Sequence, residues 1–325
     1  MSHQAKPLPS SLHPFIPHPS SFILSSPSPS PYMLHIRDLN ISFRRYRAEP
    51  LHAVKNFTLD LQQGESLAIV GESGSGKSTV ALALARLLPE PPARITASAL
   101  NLLGHDILSM TEHQLRSVRG KDIAYIFQEP STSLNPVLTI RTQIAESLRL
   151  HRPEITDLDS EIIKWLDLVG IVEPAKRLHS YAHELSGGMQ QRIMIAMALC
   201  TQPRLLIADE PTTALDVTIQ KQIIELLADL RRRLGMSVIL ITHNFGIIRD
   251  IADRVAVMFR GEIVEHGPVA EILSNPQHPY TQALIHCIPR MGQKIARLPA
   301  IDHAAIEQAL LASSPATQPT LESRL

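Results

Sequence analysis

The sequence predicts an α/β fold: a parallel sheet, an antiparallel β subdomain ahead of it and a helical subdomain inserted between the two halves of the sheet. Three observations predict it. Ser66-Leu67-Ala68-Ile69-Val70 is a continuous apolar run that suits a strand buried on both faces, and it runs into a glycine-rich loop and an apolar helix, Val80 to Leu88. A second α/β stretch starts at Arg204. Between them, Leu138 to Leu199 is rich in helical patterning and poor in strand signal, which reads as an insertion into one sheet domain.

Residues 1–32 carry Pro7, Pro9, Pro14, Pro17, Pro19, Pro27, Pro29 and Pro31 among many serines. Such a stretch builds neither a core nor a regular hydrogen-bond ladder, and it lacks the continuous apolar run of a secretory signal. Two readings fit it: a disordered extension, or a start codon placed too early, with Met33 the true start. From Leu34 the pattern turns to short alternating strands, His35 to Phe43 and Ala53 to Leu61, the antiparallel subdomain. Beyond Arg204, Leu205 to Ala208 is a buried strand. Thr218 to Leu234 places Ile219, Ile223, Leu226, Leu227, Leu230 and Leu234 at helical spacing and stops at Gly235. Ser237 to Thr242 and Val255 to Met258 are further buried strands, and from Gln293 the composition weakens into a loosely held tail.

At 325 residues and 44% hydrophobic, the chain can bury one large core or two smaller ones. Lys plus Arg equals Asp plus Glu at 31 each, so no net basic field points to nucleic acid or anionic lipid. Cys200 and Cys287 are too few and too far apart for a disulfide framework or a metal knuckle, which fits a reducing cytosol. No stretch approaches the roughly 18 apolar residues of a membrane span, so a membrane role must come through a partner.

Gly71-Glu72-Ser73-Gly74-Ser75-Gly76-Lys77-Ser78 matches the phosphate-loop pattern in full, in the context of strand before and helix after. Its glycines let successive N–H groups converge on phosphate at a helix N-terminus; Lys77 neutralises the phosphates and the Ser78 hydroxyl ligates Mg²⁺. Asp209 ends a buried strand, a costly place for a carboxylate without a cation nearby, and suits an acid that positions the metal. The bland alternative for Asp209 and Glu210 is a strand-end acid that caps the helix beyond Pro211.

With Leu185-Ser186-Gly187-Gly188-Met189-Gln190-Gln191-Arg192 lying between the phosphate loop and Leu205-Leu206-Ile207-Ala208-Asp209-Glu210, the order and spacing resemble the ATP-binding cassette (ABC) family, whose signature is an LSGGQ-type sequence. The resemblance covers about residues 34–290. It implies an ABC nucleotide-binding domain over 33–268, with its helical subdomain at about 129–200, followed by a C-terminal tail over 269–325. The cofactors implied are ATP and Mg²⁺. Gly71, Ser73, Gly74, Ser75, Gly76, Lys77, Ser78 and Thr79 are then the nucleotide-binding loop, Glu210 the general base, Gln128 the Q-loop glutamine that reaches metal or water, and His243 the switch histidine; Ser78, Gln128 and Asp209 form the metal set. Asn244 stands where the family more often has aspartate. Ala214-Leu215-Asp216 resembles the loop that crosses the dimer interface, and Phe43 or Tyr46 could stack on adenine.

In this family the signature residues Ser186, Gly187, Gly188 and Gln190 do not meet the ATP held by their own Lys77; they face the nucleotide of a second subunit. One phosphate loop and one signature per chain therefore imply a second ABC ATPase subunit, identical or paralogous. Phe127-Gln128-Glu129-Pro130-Ser131-Thr132-Ser133-Leu134-Asn135-Pro136 and His278-Pro279-Tyr280-Thr281-Gln282-Ala283-Leu284 resemble the ATPases of dipeptide, oligopeptide and nickel importers. That branch implies two transmembrane permease subunits, an extracytoplasmic solute-binding protein acting indirectly, and a place on the cytoplasmic face of the inner membrane. An ATPase for nickel or another solute, or of an exporter, is the alternative. Only Cys287 lies in the tail, so the iron–sulfur-type cysteine cluster of some relatives is not expected. DNA-repair ATPases with these motifs insert long coiled coils, whereas about 115 residues without sustained heptads separate Gly71 from Ser186.

Overall fold

A computed structural model describes residues 32–213 and 215–287, together with Ala304, Ile306 and Gln308. The extension 1–31, Ala214 and most of the tail beyond Cys287 lie outside the described residues, so the expectations placed on them stay as expectations.

β1 (Tyr32–Arg45) and β2 (Ala48–Gln62) form the antiparallel pair expected from the alternating pattern, each extending beyond the short strand predicted. β3 (Ser66–Val70) is buried at every residue, as its unbroken apolar run demands. α1 (Lys77–Leu84) starts and ends earlier than the apolar run alone predicts. Its first turn comes from the polar residues of the glycine loop, and its end is set where Arg86 takes φ 51° and the Leu87 amide closes back onto the Leu82 carbonyl. β4 (Ala93–Thr96), β5 (Ala99–Leu102) and β6 (His105–Asp106) complete the antiparallel sheet, with β5 and β4 both pairing to β1. Runs of two to four residues are too short to show a period, and pairing decides them, of β4 and β5 with β1 and of β6 with β5.

α2 (Glu112–Val118) begins on a capping box between Thr111 and Gln114. β7 (Ile123–Ile126) returns to the main sheet. The expected helical insertion follows as α3 (Pro130–Ser133), α4 (Ile140–His151), α5 (Leu158–Leu168), α6 (Pro174–Arg177) and α7 (Gly187–Leu199). Then come β8 (Leu205–Asp209), α8 (Val217–Leu234), β9 (Ser237–Thr242), α9 (Phe245–Ile248) and β10 (Arg254–Phe259). β11 (Glu262–Pro268), α10 (Val269–Ser274) and α11 (Pro279–His286) follow. β11 escaped the sequence reading because it is a half-exposed edge strand with no apolar run.

The main sheet runs β11-β10-β3-β9-β8-β7, parallel from β10 to β7, with β11 antiparallel on the edge. Side chains on successive strand residues point to opposite faces, and the core divides accordingly. Leu67, Ile69, Leu205, Ile207, Ile239 and Ile241 face α1 and the antiparallel sheet. Leu206, Ala208, Val238 and Leu240 face the helical side, where they meet Ile223, Leu227 and Leu230 of α8. Each of these α8 side chains is fully buried and contributes about 1.5–3 kcal/mol of apolar burial. The C-terminal ends of β3, β8 and β9 open at one edge of the parallel sheet, the usual place for a ligand crevice in such folds.

Candidate active site

The loop after β3 is shaped by two glycines. A Cβ at Gly71 would lie 2.3 Å from the Met258 carbonyl oxygen, and one at Gly76 2.6 Å from that of Ala53, with φ at 155° and 104°. Only glycine fits this turn. Lys77, 4% exposed, folds its Nζ over the loop and donates to the carbonyls of Gly71 at 2.9 Å and Glu72 at 2.8 Å. Burial lowers the Lys77 pKa, and the negative charges of Glu210, Asp209 and Glu72 oppose that shift.

Two observations test whether the loop fits a phosphate. Ser75 Oγ is buried without a hydrogen-bond partner, and the two glycine positions leave room only for backbone beside a cleft of about 1330 Å³. An anion that accepts from the Ser75 hydroxyl and from Lys77 satisfies both groups. Gly74, Gly76, Ser73, Ser78 and Thr79 line the same cleft, as do Gln128, Glu210 and His243.

Asp209, 6% exposed at the end of β8, accepts from Ser78 Oγ on Oδ1 at 3.0 Å and from the Tyr125 hydroxyl on Oδ2 at 2.8 Å. Burial raises its pKa; the Tyr125 and Ser78 hydrogen bonds pull against that shift. A buried carboxylate beside a hydroxyl, next to a phosphate loop, is a donor set suited to a hard divalent cation such as Mg²⁺. Glu210 follows with φ 45°, a left-handed backbone that turns its side chain off the line of the strand, and its amide donates to the Ile241 carbonyl at 2.9 Å. Its carboxylate accepts from Thr213 Oγ1 at 2.7 Å and from Gln128 Nε2 at 3.2 Å, both on Oε2, while His243 Nδ1 stands 3.3 Å from Oε1. The helix-cap alternative for these acids has no support here: the cap of α8 is Asp216, whose side chain accepts from the Ile219 amide at 2.9 Å.

Ser186 caps α7 and accepts from the Met189 amide at 3.4 Å, with Gly187 and Gly188 in the first turn. None of Ser186, Gly187, Gly188, Gln190 and Asp216 lines the cleft around Lys77. Gln190 turns its amide inward, donating to the carbonyls of Ala182 at 2.8 Å and Leu185 at 3.1 Å. Two other helices repeat the device. Gln143, four residues after the α4 cap Thr139, donates to Asn135 and Leu138, and Gln220, four after Asp216, donates to Thr212 and Leu215. In each case one amide satisfies the carbonyls one and four residues before the cap, which fixes the angle at which the loop enters the helix.

Of the two aromatics weighed for the base, Phe43 lines the cleft and Tyr46 does not; Tyr46 is 86% exposed beside Arg47. Asn244 caps α9, accepting from the Gly246 amide at 2.8 Å, so the departure from aspartate at this position keeps a helix cap. Tyr125 and Thr213 were missed in the sequence. The signal for Tyr125 was its register: it pairs with Ile207 on the adjacent parallel strand, two residues short of Asp209.

A glycine-bent phosphate loop, a hydroxyl–carboxylate pair for a divalent cation and a glutamate held beside them define a phosphate-loop nucleotide-binding protein. Comparison with known proteins narrows the class. Residues 54–213 match the ABC transporter family, and residues 264–322 match the oligopeptide/dipeptide transporter C-terminal region. The oligopeptide transport ATP-binding protein OppD of Bacillus subtilis is 47% identical over 80% of this chain and 72% of its own length. The peptidoglycan transport ATP-binding protein YejF of Agrobacterium fabrum is 52% identical over 79% of this chain and 47% of its own. The glutathione import ATP-binding protein GsiA of Salmonella choleraesuis is 51% identical over 80% and 42%. This chain thus spans about half the length of the latter two relatives. Among solved structures, the ATP-binding cassette MJ0796, in a dimeric post-hydrolysis state bound to ADP and Pi, superposes with a TM-score of 0.65 at 26% identity, covering 73% of this chain and 99% of that one. The chain belongs to the ABC transporter family as an ATP-binding protein, in the group that carries the oligopeptide/dipeptide transporter C-terminal region.

Proposed function

We propose that the chain is the ATP-hydrolysing subunit of an importer for peptides or a related solute. It works at the cytoplasmic face of the inner membrane with a second ABC ATPase subunit and two transmembrane permease subunits, which receive solute from an extracytoplasmic binding protein. One observation carries the hydrolytic part: the Glu210 carboxylate is held by Thr213, Gln128 and His243 at the edge of the cleft that contains Lys77. A carboxylate so oriented can take a proton from a water attacking a phosphate bound on the loop.

The roles of the chain's own groups follow from their chemistry. The loop amides, Ser75 and Lys77 bind the phosphates, with Lys77 moving from the Gly71 and Glu72 carbonyls to a stronger anionic acceptor. Mg²⁺, when bound by Ser78 and Asp209, neutralises charge on the phosphate oxygens. Gln128 and Thr213 orient Glu210, and His243 stabilises the charge that develops on transfer. No helix among the described residues is long and apolar enough to cross a membrane, so passage of solute falls to the permeases. The signature helix lies away from the cleft around Lys77, which supports pairing with a second cassette, and the dimeric state of the related cassette agrees with that reading. The C-terminal match and the relatives' names support peptides as the solute class.

Replacing Glu210 by Gln should lower turnover by about 100-fold or more while ATP-dependent dimerisation persists. Normal hydrolysis by that variant would remove Glu210 from its role. Import is tested by sequencing the neighbouring genes, reconstituting the chain with a permease pair and binding protein found there and following labelled oligopeptide; uptake of nickel alone, or ATP-driven export, would overturn the peptide reading.

A further inference from the structure

The segment His278-Pro279-Tyr280 is distant in sequence from the phosphate loop, yet the fold joins them. The Glu265 carboxylate on β11 accepts from the Gln277 amide at 2.7 Å and the His278 amide at 3.0 Å. The His278 ring then accepts from the Tyr280 amide at 3.1 Å as the cap of α11, and Pro279 occupies the first helical turn, where no amide donor is needed. These contacts fix the helix start and aim Tyr280 inward. Its side chain is fully buried, its ring lies 4.3 Å from that of Phe259 at the end of β10, and its hydroxyl accepts from the Glu72 amide at 2.9 Å. The same hydroxyl donates toward Glu72 Oε2 at 3.4 Å.

The Glu72 backbone is therefore held through both of its peptide units. Tyr280 holds its N–H, while Lys77 and the Ser75 amide hold its carbonyl, at 2.8 and 3.2 Å. Gly71, one residue before, is pressed against the Met258 carbonyl. The turn that aims the loop at phosphate is thus set in part by a residue 208 positions later in the chain.

We propose that Tyr280 is a positioning residue for the phosphate loop, through which the C-terminal helix sets the grip of the site on nucleotide phosphates. This rests on the ATPase reading above. Loss of the hydroxyl removes its hold on the Glu72 amide and lets the first turn of the loop shift, which weakens phosphate binding more than it weakens the chemical step.

The test compares the full-length wild type with Tyr280→Phe and Leu284→Ala in steady-state ATP hydrolysis and thermal unfolding. Tyr280→Phe keeps the ring packed on Phe259 and removes the oxygen; losing one such hydrogen bond should raise the KM for ATP about three- to ten-fold, with a smaller fall in kcat and little change in Tm. Leu284→Ala loosens the same helix without touching the hydroxyl and should lower Tm with the smaller effect on KM. An unchanged KM in Tyr280→Phe overturns the proposal, and so does an equal KM rise in both variants, which would mark general loss of the helix. A wild-type chain that neither binds nor hydrolyses ATP would instead overturn the ATPase reading itself.

Discussion

The Tyr125 hydroxyl donates to Asp209 Oδ2 at 2.8 Å, leaving Oδ1 to the Ser78 hydroxyl. Asp209 thus keeps one oxygen locked and one directed at the position where Ser78 can join it on a cation. Burial is the main reason that the Tyr125 pKa is raised, and the adjacent Asp209 charge adds to it, so the phenol stays a donor. Tyr125→Phe should leave Oδ2 unpaired, lower kcat/KM about ten-fold and raise the Mg²⁺ concentration needed for half-maximal rate. A Mg²⁺ titration of ATPase activity checks it: the same half-maximal concentration as wild type would separate Tyr125 from metal positioning.

The glutamine clamps predict a stability effect outside the cleft. Gln143 is 7% exposed, donates to the Asn135 and Leu138 carbonyls and accepts from the Asn135 amide at 2.8 Å. Gln143→Leu fills the space but leaves three partly exposed backbone groups of the loop without their side-chain partner, at a cost of about 1–2 kcal/mol. Urea unfolding measures it, and a cost near zero would show that the loop satisfies these groups elsewhere.

A pH-dependent contribution is expected from Asp60. Burial pushes its carboxyl upward, but hydrogen bonds from Arg37 and His35 and their charges outweigh that push and hold it below the usual carboxylate value. A pKa depressed on folding contributes stability above the unfolded value of 3.8, and that contribution is lost as pH falls through the folded pKa. Asp60→Asn should therefore cost about 1 kcal/mol at neutral pH, allowing for partial exposure, with the difference from wild type shrinking as pH falls below 3.8 and through the folded pKa. A gap in Tm that is the same at both pH values would contradict the assignment.

The two cysteines should differ in reactivity. Burial pushes the Cys200 thiol up to about 12, in the core at the C-terminal end of α7, whereas Cys287 is half-exposed after α11. Iodoacetamide at pH 8 should label Cys287 and spare Cys200 until the chain unfolds, as read by mass spectrometry. Equal labelling of both in the native protein would be the contrary result.

The sequence determined the local chemistry. The loop Gly71–Ser78, the capped signature at Ser186 and the acids ending Leu205–Glu210 were legible because each is contiguous and each needs particular residue types at fixed spacing. The buried strands were legible for a related reason: a strand covered on both faces must be apolar without interruption, as Ser237–Thr242 is. Short paired strands such as Ala93–Thr96 and the edge strand Glu262–Pro268 were not, since their conformation comes from β1 and β10 rather than from their own pattern.

Only the tertiary structure decided how distant groups meet. Tyr125 reaches Asp209 through the register of two parallel strands, Thr213 and Gln128 converge on Glu210, and Tyr280 crosses to Glu72 from α11. No periodicity encodes such contacts, because a hydrogen bond depends on a separation in space that the fold sets. The order of residues named the parts of the site; strand register and helix docking gave them their geometry.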